Sequence, residues 1–454
     1  MARLFGTDGV RGVANVDLTA DLALKLSVAA AHVLGEAGAF DGRRAVAIVG
    51  RDTRISGEFL QAAVMSGLAS AGVDVIDVGV IPTPGLAYLV ESRGVDLGVM
   101  LSASHNPMPD NGIKFFQRGG VKLDDRIEDA IQERLDEQWV RPIGADVGHI
   151  RRDDSLLECY IEHLADSLGE QSLAGLRIVL DCANGASSVT AQRAFELRDA
   201  EVIAISCVPD GLNINEGCGS THIGALRSAV VDEHADLGLA FDGDADRCQA
   251  VDAKGEVVDG DQIMAILALD LQEHGKLAFN TLVATVMSNL GLIKAMRANG
   301  ITVDTTKVGD RYVLEDMVAH GFTLGGEQSG HVIMSEFATT GDGVLTGLHV
   351  AARVGQTGRP LAQLASVMKR LPQALVNVSQ VDKARAEEDM VILNEVTAAT
   401  RELADNGRVL LRPSGTEPLV RVMVEAESQT HADQIANRLA AVVANRVGLS
   451  GFHG

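Results

Sequence analysis

The chain has 454 residues, 46% hydrophobic and 22% charged, ordinary for a globular protein but too long for one core, so about three or four domains are expected. Its 39 Lys and Arg against 62 Asp and Glu leave a net charge of −23, which argues against nucleic acid and anionic membranes as partners. An anionic small-molecule substrate stays open if cations gather locally, and Arg11, Arg51, Arg54, Lys114, Arg247, Lys307, Arg311, Arg412 and Arg421 all lie in or beside Gly-rich segments. The five cysteines are odd in number and form no C-x-x-C pair, and no apolar run reaches membrane-span length, so reduced thiols and a cytoplasmic location are expected.

In chain order, Val46–Val49 reads as a strand ending in Gly50-Arg51-Asp52-Thr53-Arg54. A helix follows, with Leu60, Val64 and Leu68 on one face. Strands Val73–Val78 and Leu97–Leu101 come next, the second running into Ser102-Ala103-Ser104-His105-Asn106-Pro107. The plan recurs from Arg177–Leu180, through Val202–Ser206, to Asp236–Phe241, which opens Asp-Leu-Gly as Asp96-Leu97-Gly98 does. A third copy runs Leu282–Val286, Ile301–Val303 and Phe322–Gly325, and ends in Gly326-Glu327-Gln328-Ser329-Gly330-His331. After about residue 365 the pattern changes to strands Leu375–Val378, Arg408–Leu411 and Val420–Glu425 and a final helix Ala432–Val447. The expectation is three similar mixed-sheet α/β domains, 1–150, 151–255 and 256–365, and a smaller α+β domain, 366–454.

Each copy delivers one polar loop from the matching place. The first brings the Ser104 hydroxyl and the His105 imidazole to a strand end, where open α/β sheets bind ligands. The second is Asp242-Gly243-Asp244-Ala245-Asp246-Arg247, with carboxylates at alternate positions. It departs from an EF-hand, having Arg247 where that loop needs Gly, but it suits a hard divalent cation, with Mg2+ the best fit. In the third, Glu327 and Ser329 suit vicinal sugar hydroxyls. Arg412-Pro413-Ser414-Gly415-Thr416 in the last domain makes a compact anion cradle. Each loop alone also reads as a polar turn. Together they describe phosphoryl chemistry on a polyol.

Four ordered motifs resemble the α-D-phosphohexomutase superfamily: Phe5-Gly6-Thr7-Asp8-Gly9-Val10-Arg11-Gly12, Asp52-Thr53-Arg54-Ile55-Ser56-Gly57, Lys307-Val308-Gly309-Asp310-Arg311-Tyr312-Val313 and Gly326–His331. Relatives acting on mannose or glucose phosphates tend to carry Met where Gln328 stands, so the resemblance leans to the branch acting on glucosamine phosphates. It implies a heart-shaped molecule whose fourth domain is TATA-binding-protein-like, with a central cleft. It also implies interconversion of glucosamine 6-phosphate and glucosamine 1-phosphate through a phosphoserine and a 1,6-bisphosphate. By the same resemblance Ser104 is the phosphorylated nucleophile, and Asp242, Asp244 and Asp246 hold one Mg2+, completed by a phosphoserine oxygen. Arg11, Lys114 and His331 are then placed for proton transfer and charge stabilisation. His105, Arg247, Lys307, Glu327 and Ser329 contact the phosphosugar, while Arg412, Ser414, Gly415, Thr416 and Arg421 hold its distal phosphate. A hexose 1,6-bisphosphate is expected as activator, and a homodimer stays open. A phosphatase and a non-catalytic sugar-phosphate sensor are the competing classes. Ala245 stands where the family often has Gly, and as it adds only a methyl group, altered loop packing at most is expected.

Overall fold

The structure is a computed structural model that describes residues 3–6, 8–40, 42–414 and 419–449. It contains two compact units, one of residues 1–287 with 300–367 and one of residues 288–299 with 368–454. The first unit holds three sheets. The largest comprises β1 (Val10–Val13), β2 (Val46–Arg51), β3 (Asp74–Val80), β4 (Leu97–Leu101), β5 (Asp110–Gln117), β6 (Val121–Lys122) and β7 (Ile150–Arg152), in the order β1-β5-β4-β2-β3-β7 with β6 against β5. The second comprises β8 (Arg177–Asp181), β9 (Glu201–Ile205), β10 (Leu237–Phe241), β11 (Cys248–Asp252) and β12 (Val257–Val258), ordered β12-β11-β10-β8-β9. The third comprises β13 (Thr281–Thr285), β14 (Thr302–Thr306), β15 (Leu324–Gly326) and β16 (Val332–Met334), ordered β14-β13-β15-β16.

One four-strand plan underlies all three. In β5-β4-β2-β3, β11-β10-β8-β9 and β16-β15-β13-β14 the first pairing is antiparallel and the next two are parallel. The polar loops therefore occupy one topological place: each joins the third strand of its copy to the antiparallel fourth. The fourth strands β5, β11 and β16 do not stand out as repeats in the sequence; in β5, Lys114 interrupts the apolar run and looks like a loop cation.

The repeated Asp-Leu-Gly has a physical cause. Asp96 Oδ2 accepts the Val46 N–H at 3.0 Å and Asp236 Oδ2 accepts the Arg177 N–H at 2.8 Å, so each carboxylate closes the exposed start of the neighbouring strand. The glycine that follows lies under a crossing helix. A Cβ on Gly98 would meet Val90 at 2.5 Å and one on Gly238 would meet Val230 at 2.4 Å. β4 and β10 are buried along their whole length, as continuous apolar runs sandwiched between helices must be.

The second unit is a three-stranded antiparallel sheet of β17 (Gln373–Ser379), β19 (Leu419–Glu425) and β18 (Arg408–Pro413), in that order. The helix Gln429–Val447 buries Ala432, Ile435, Ala436, Leu439, Ala440 and Val443 at helical spacing against β17 and β19. Among the described residues no helix is long and apolar enough to cross a membrane.

Candidate functional site

Ser104 sits at φ +52°, a strained backbone for a side-chain-bearing residue, in the loop between β4 and β5. The loop is held in that shape from within. Ser102 Oγ donates to Asp52 Oδ2 at 2.7 Å and accepts the Ser104 N–H at 2.9 Å. Arg54, read from sequence as a cation for an anionic ligand, is instead fully buried and pairs with Asp52 at 2.9 Å. Its guanidinium donates to the carbonyls of Ser104 (3.0 Å), Asn106 (2.8 Å), Asp110 (3.0 Å) and Pro107. Asn215 Nδ2 adds bonds to the Ser104 and Asn106 carbonyls at 2.9 and 3.1 Å. Arg311 is likewise turned away from the loops, to Asp125, Glu128 and the Leu123 carbonyl.

Opposite Ser104 lie Asp242, Asp244 and Asp246, all buried, each with one potential ligand atom, and these atoms are within 4.8 Å of one another. Ser104 Oγ donates to Asp242 Oδ2 at 2.5 Å. Close approach of the two loops demands Gly243, since a Cβ there would lie 2.6 Å from the Ser104 carbonyl. Asp244 Oδ1 and Asp246 Oδ1 are buried without a hydrogen-bond partner among the described residues. Unpaired buried carboxylate oxygens facing a third carboxylate are the hard donor set a divalent cation takes. Burial, then Asp246 and Asp244, push the Asp242 carboxyl well above the usual range. The expectation for Ala245 needs correction. Ala245 has φ +58°, so its cost is a left-handed backbone, roughly 1–2 kcal/mol for an L-residue, rather than packing.

Basic groups bind this cluster from the other sheets. Lys114, on β5, reaches Asp244 Oδ2 at 2.7 Å and Asp8 Oδ2 at 2.8 Å; burial opposes its charge, and Asp244 and Asp8 outweigh burial and raise its pKa. Thr83 Oγ1 donates to the same Asp244 oxygen at 2.6 Å. Arg11 pairs with Asp8. His331 is buried, with Nδ1 3.6 Å from Asp246 Oδ2, and its Nε2 accepts the Gly341 N–H at 3.1 Å. Burial lowers the His331 pKa and the carboxylates of Asp246 and Asp310 raise it, with a net rise. His105 Nδ1 lies 3.3 Å from Ser104 Oγ, and burial, then Arg247 and Arg11, pull its pKa down to about 4, so the ring is neutral at pH 7. Arg247 lies beside Asp246, its Nε 3.7 Å from Oδ1.

The third loop is more open. Glu327 Oε1 accepts the Gly309 N–H at 3.1 Å, and Ser329 Oγ stands 3.4 Å from Glu327 Oε2. The Gln328 side chain turns to Asp259 at 3.5 Å. Lys307 is exposed, with Nζ 6.0 Å from the Tyr312 ring centre. Thus Ser104, His105, Arg11, Lys114, His331, Arg247 and the three aspartates form one interlinked cluster, and Lys307 stands outside its hydrogen bonds. Arg412, Ser414 and Arg421 belong to the second unit, and Gly415 and Thr416 lie outside the described residues. Arg412 and Arg421 are direct cross-strand partners on β18 and β19. Sequence reading missed Asp8, Thr83, Lys122, Asn215 and Asp310 as parts of this cluster. Asp8 and Asp310 stood inside two of the quoted motifs; Thr83, Lys122 and Asn215 carried no local signal.

Family profiles described as phosphoglucomutase/phosphomannomutase alpha/beta/alpha domains I, II and III and C-terminal domain match residues 2–139, 158–255, 259–371 and 375–442. A protein named phosphoglucosamine mutase from Cutibacterium acnes is 68% identical over 444 residues, covering 98% of this chain and 99% of that one. A phosphoglucomutase/phosphomannomutase family protein from Burkholderia thailandensis superposes with TM-score 0.82 at 24% identity, covering 98% of this chain and 99% of that one. The N-acetylphosphoglucosamine mutase of Aspergillus fumigatus, solved in complex with GlcNAc-6P and magnesium, superposes with TM-score 0.67 at 17% identity, covering 98% and 96%. The two structural likenesses speak for the fold; the profile matches and the close relative together show that this chain belongs to the phosphoglucomutase/phosphomannomutase family.

Proposed function

We propose that this chain is a phosphoglucosamine mutase, an isomerase that interconverts glucosamine 6-phosphate and glucosamine 1-phosphate in the cytoplasm, feeding amino-sugar nucleotide and cell-wall precursor synthesis. The observation that carries the reading is Ser104 Oγ, held 2.5 Å from Asp242 in a strained loop facing two unpaired carboxylate oxygens. The name of the relative at 68% identity supports the choice of sugar. In this reading Ser104 carries the phosphoryl group. The P–Oγ bond breaks as a bond forms to the sugar O1, whose proton leaves to a base. After the bisphosphate turns round, the P–O6 bond breaks, the P–Oγ bond forms again and O6 regains a proton.

Arg11 and Lys114 stabilise charge on the phosphoryl oxygens in flight, since phosphoryl transfer asks for positioning and charge neutralisation more than covalent help. The low pKa of His105 keeps a neutral imidazole beside Oγ, able to pass a proton. His331 Nδ1 faces Asp246 and orients its carboxylate. Asp242, Asp244 and Asp246 would hold one Mg2+, which supplies a positive charge against the transferring group when bound. Arg247, Lys307, Glu327 and Ser329 orient the sugar. Arg412, Ser414, Gly415, Thr416 and Arg421 hold the distal phosphate. The domains are proposed as 1–150, 151–255, 256–365 and 366–454, with a hexose 1,6-bisphosphate as activator.

Peptide mass spectrometry of the protein treated with glucose 1,6-bisphosphate and Mg2+, together with turnover of glucosamine, glucose and mannose phosphates, tests the reading. One phosphate on Ser104, highest kcat/KM on glucosamine phosphate and no turnover in Ser104→Ala are expected. Phosphate uptake with a preference for mannose 6-phosphate would overturn the sugar assignment. No uptake on Ser104, or net release of inorganic phosphate at the turnover rate, would overturn the mutase mechanism.

A further inference from the structure

Asp310 and Arg311 open the helix Asp310–His320, and both side chains cross from the third sheet's layer to the sheet that carries Ser104. Asp310 Oδ2 receives Lys122 Nζ from β6. Lys122 Nζ also binds Asp8 Oδ1 at 2.5 Å, and the other Asp8 oxygen takes Lys114 and Arg11. On its far side Asp310 Oδ2 stands 3.9 Å from His331 Nε2. Charges therefore alternate along Asp244, Lys114, Asp8, Lys122 and Asp310, and the His331 ring stands between Asp310 and Asp246. The path leaves the acidic triad through one aspartate and returns through another, passing from the first sheet to the third at Lys122–Asp310.

A cavity of about 180 Å³ lies beside this crossing, lined in part by Lys122, Leu123, Asp310, Leu314 and His331. The Lys122–Asp310 ion pair is sheltered: burial opposes the Lys122 charge, and Asp310 and Asp8 outweigh burial and raise its pKa. Without Lys122, Asp8 and Asp310 would be like charges facing each other across the gap. Neither residue reaches Ser104, so neither is placed to touch the reacting atoms.

We propose that Lys122 and Asp310 are positioning residues of the phosphoryl transfer: their bridge holds the first and third sheets in register, so that Arg11 and Lys114 on one side and His331 on the other meet the acidic triad in one fixed geometry. The inference rests on the mutase reading for its kinetic consequence, not for its structural one. A misplacement of about 1 Å in a transfer site costs roughly 100-fold in rate.

The test compares Lys122→Met, Asp310→Asn, their double variant and Lys122→Arg with Arg311→Ala, which cuts contacts at the same interface but touches neither Asp8 nor His331. In Lys122→Met and Asp310→Asn, kcat on glucosamine 6-phosphate falls roughly 10–100-fold while KM stays within about threefold. The double variant loses no more than the worse single, because both remove one bridge. Lys122→Arg recovers most of kcat. Arg311→Ala lowers the thermal midpoint and leaves kcat within about twofold. Retained kcat in both singles, multiplicative losses in the double, or an equal kcat loss in Arg311→Ala would overturn the proposal. Amide hydrogen exchange at residues 118–124 and 307–313 is read alongside. It rises in both single variants whether or not the wild type turns over glucosamine phosphate, and unchanged exchange would overturn the bridge by itself. An inactive wild type with raised exchange in the variants would sink the mutase reading alone.

Discussion

Arg54 has five side-chain N–H donors, and the five bonds go to Asp52 and to four carbonyls of the loop that carries Ser104. A lysine offers three donors from one point and cannot match that fork. Arg54→Lys keeps the charge but leaves at least two of those bonds unmade, so it is expected to cost about 2–6 kcal/mol, at roughly 1–3 for each unsatisfied buried group, and to cut turnover by releasing the strained Ser104 backbone. Urea unfolding followed at Trp139, with kcat on the same sample, checks it; full activity at wild-type stability would refute the role. In sequence Arg54 looked like Arg247 or Arg412, a cation next to glycine. What separates them is burial and the direction of neighbouring carbonyls, and neither is written in residue type. The aspartate triplet was legible because alternate carboxylates at a strand end suit a divalent cation, whereas the Ser104 loop alone read equally as a polar turn and was singled out by the family resemblance. Ala245 was legible as a departure but not as a left-handed one, since φ depends on how the loop closes.

Among the elements, strands announced themselves by apolar runs and by Asp-Leu-Gly, whose aspartate and glycine serve a neighbouring strand and a crossing helix. The antiparallel fourth strands did not: Lys114 breaks the apolar run of β5, and β16 is only the three residues Val332–Met334. Helix contacts bring a pH dependence. His349, on the helix Gly343–Thr357, places Nε2 3.1 Å from Ser167 Oγ at the end of the helix Ser155–Asp166. Burial, then Lys276, lower its pKa from 6.5 to about 4. Between those values the unfolded chain binds a proton that the folded chain refuses, so stability is full above about pH 6.5 and falls as pH drops toward 4. The loss at pH 5 is about 1–2 kcal/mol once partial exposure is allowed for. His349→Gln should remove that part of the acid sensitivity. Urea midpoints of both proteins at pH 7 and pH 5 decide; an equal drop in the two would show that His349 is not the source.

At the scale of the molecule, each unit has its own core. Leu26, Val33, Leu60 and Val64 belong to one cluster in the first unit, and Val420, Val422, Ile435 and Leu439 to another in the second. Trp139, the chain's one tryptophan, stacks on His32 at 3.9 Å in the first unit. Its fluorescence should follow unfolding of that unit, while far-ultraviolet circular dichroism sees the helices of both. The two probes are expected to give different denaturant midpoints, and coincident curves would show that the cores unfold together. The sequence by itself determined the α/β repeats, the smaller last domain, the place of each polar loop and the chemistry those loops offer. These follow from side-chain periodicity and turn residues, which act over a few positions. Only the tertiary structure decided which charges meet. Lys122 and Asp310 are 188 residues apart, and Arg54 becomes a loop support instead of a ligand contact. The strength of a charge pair depends on distance and burial, and both are set by how the sheets pack, not by any short stretch of chain.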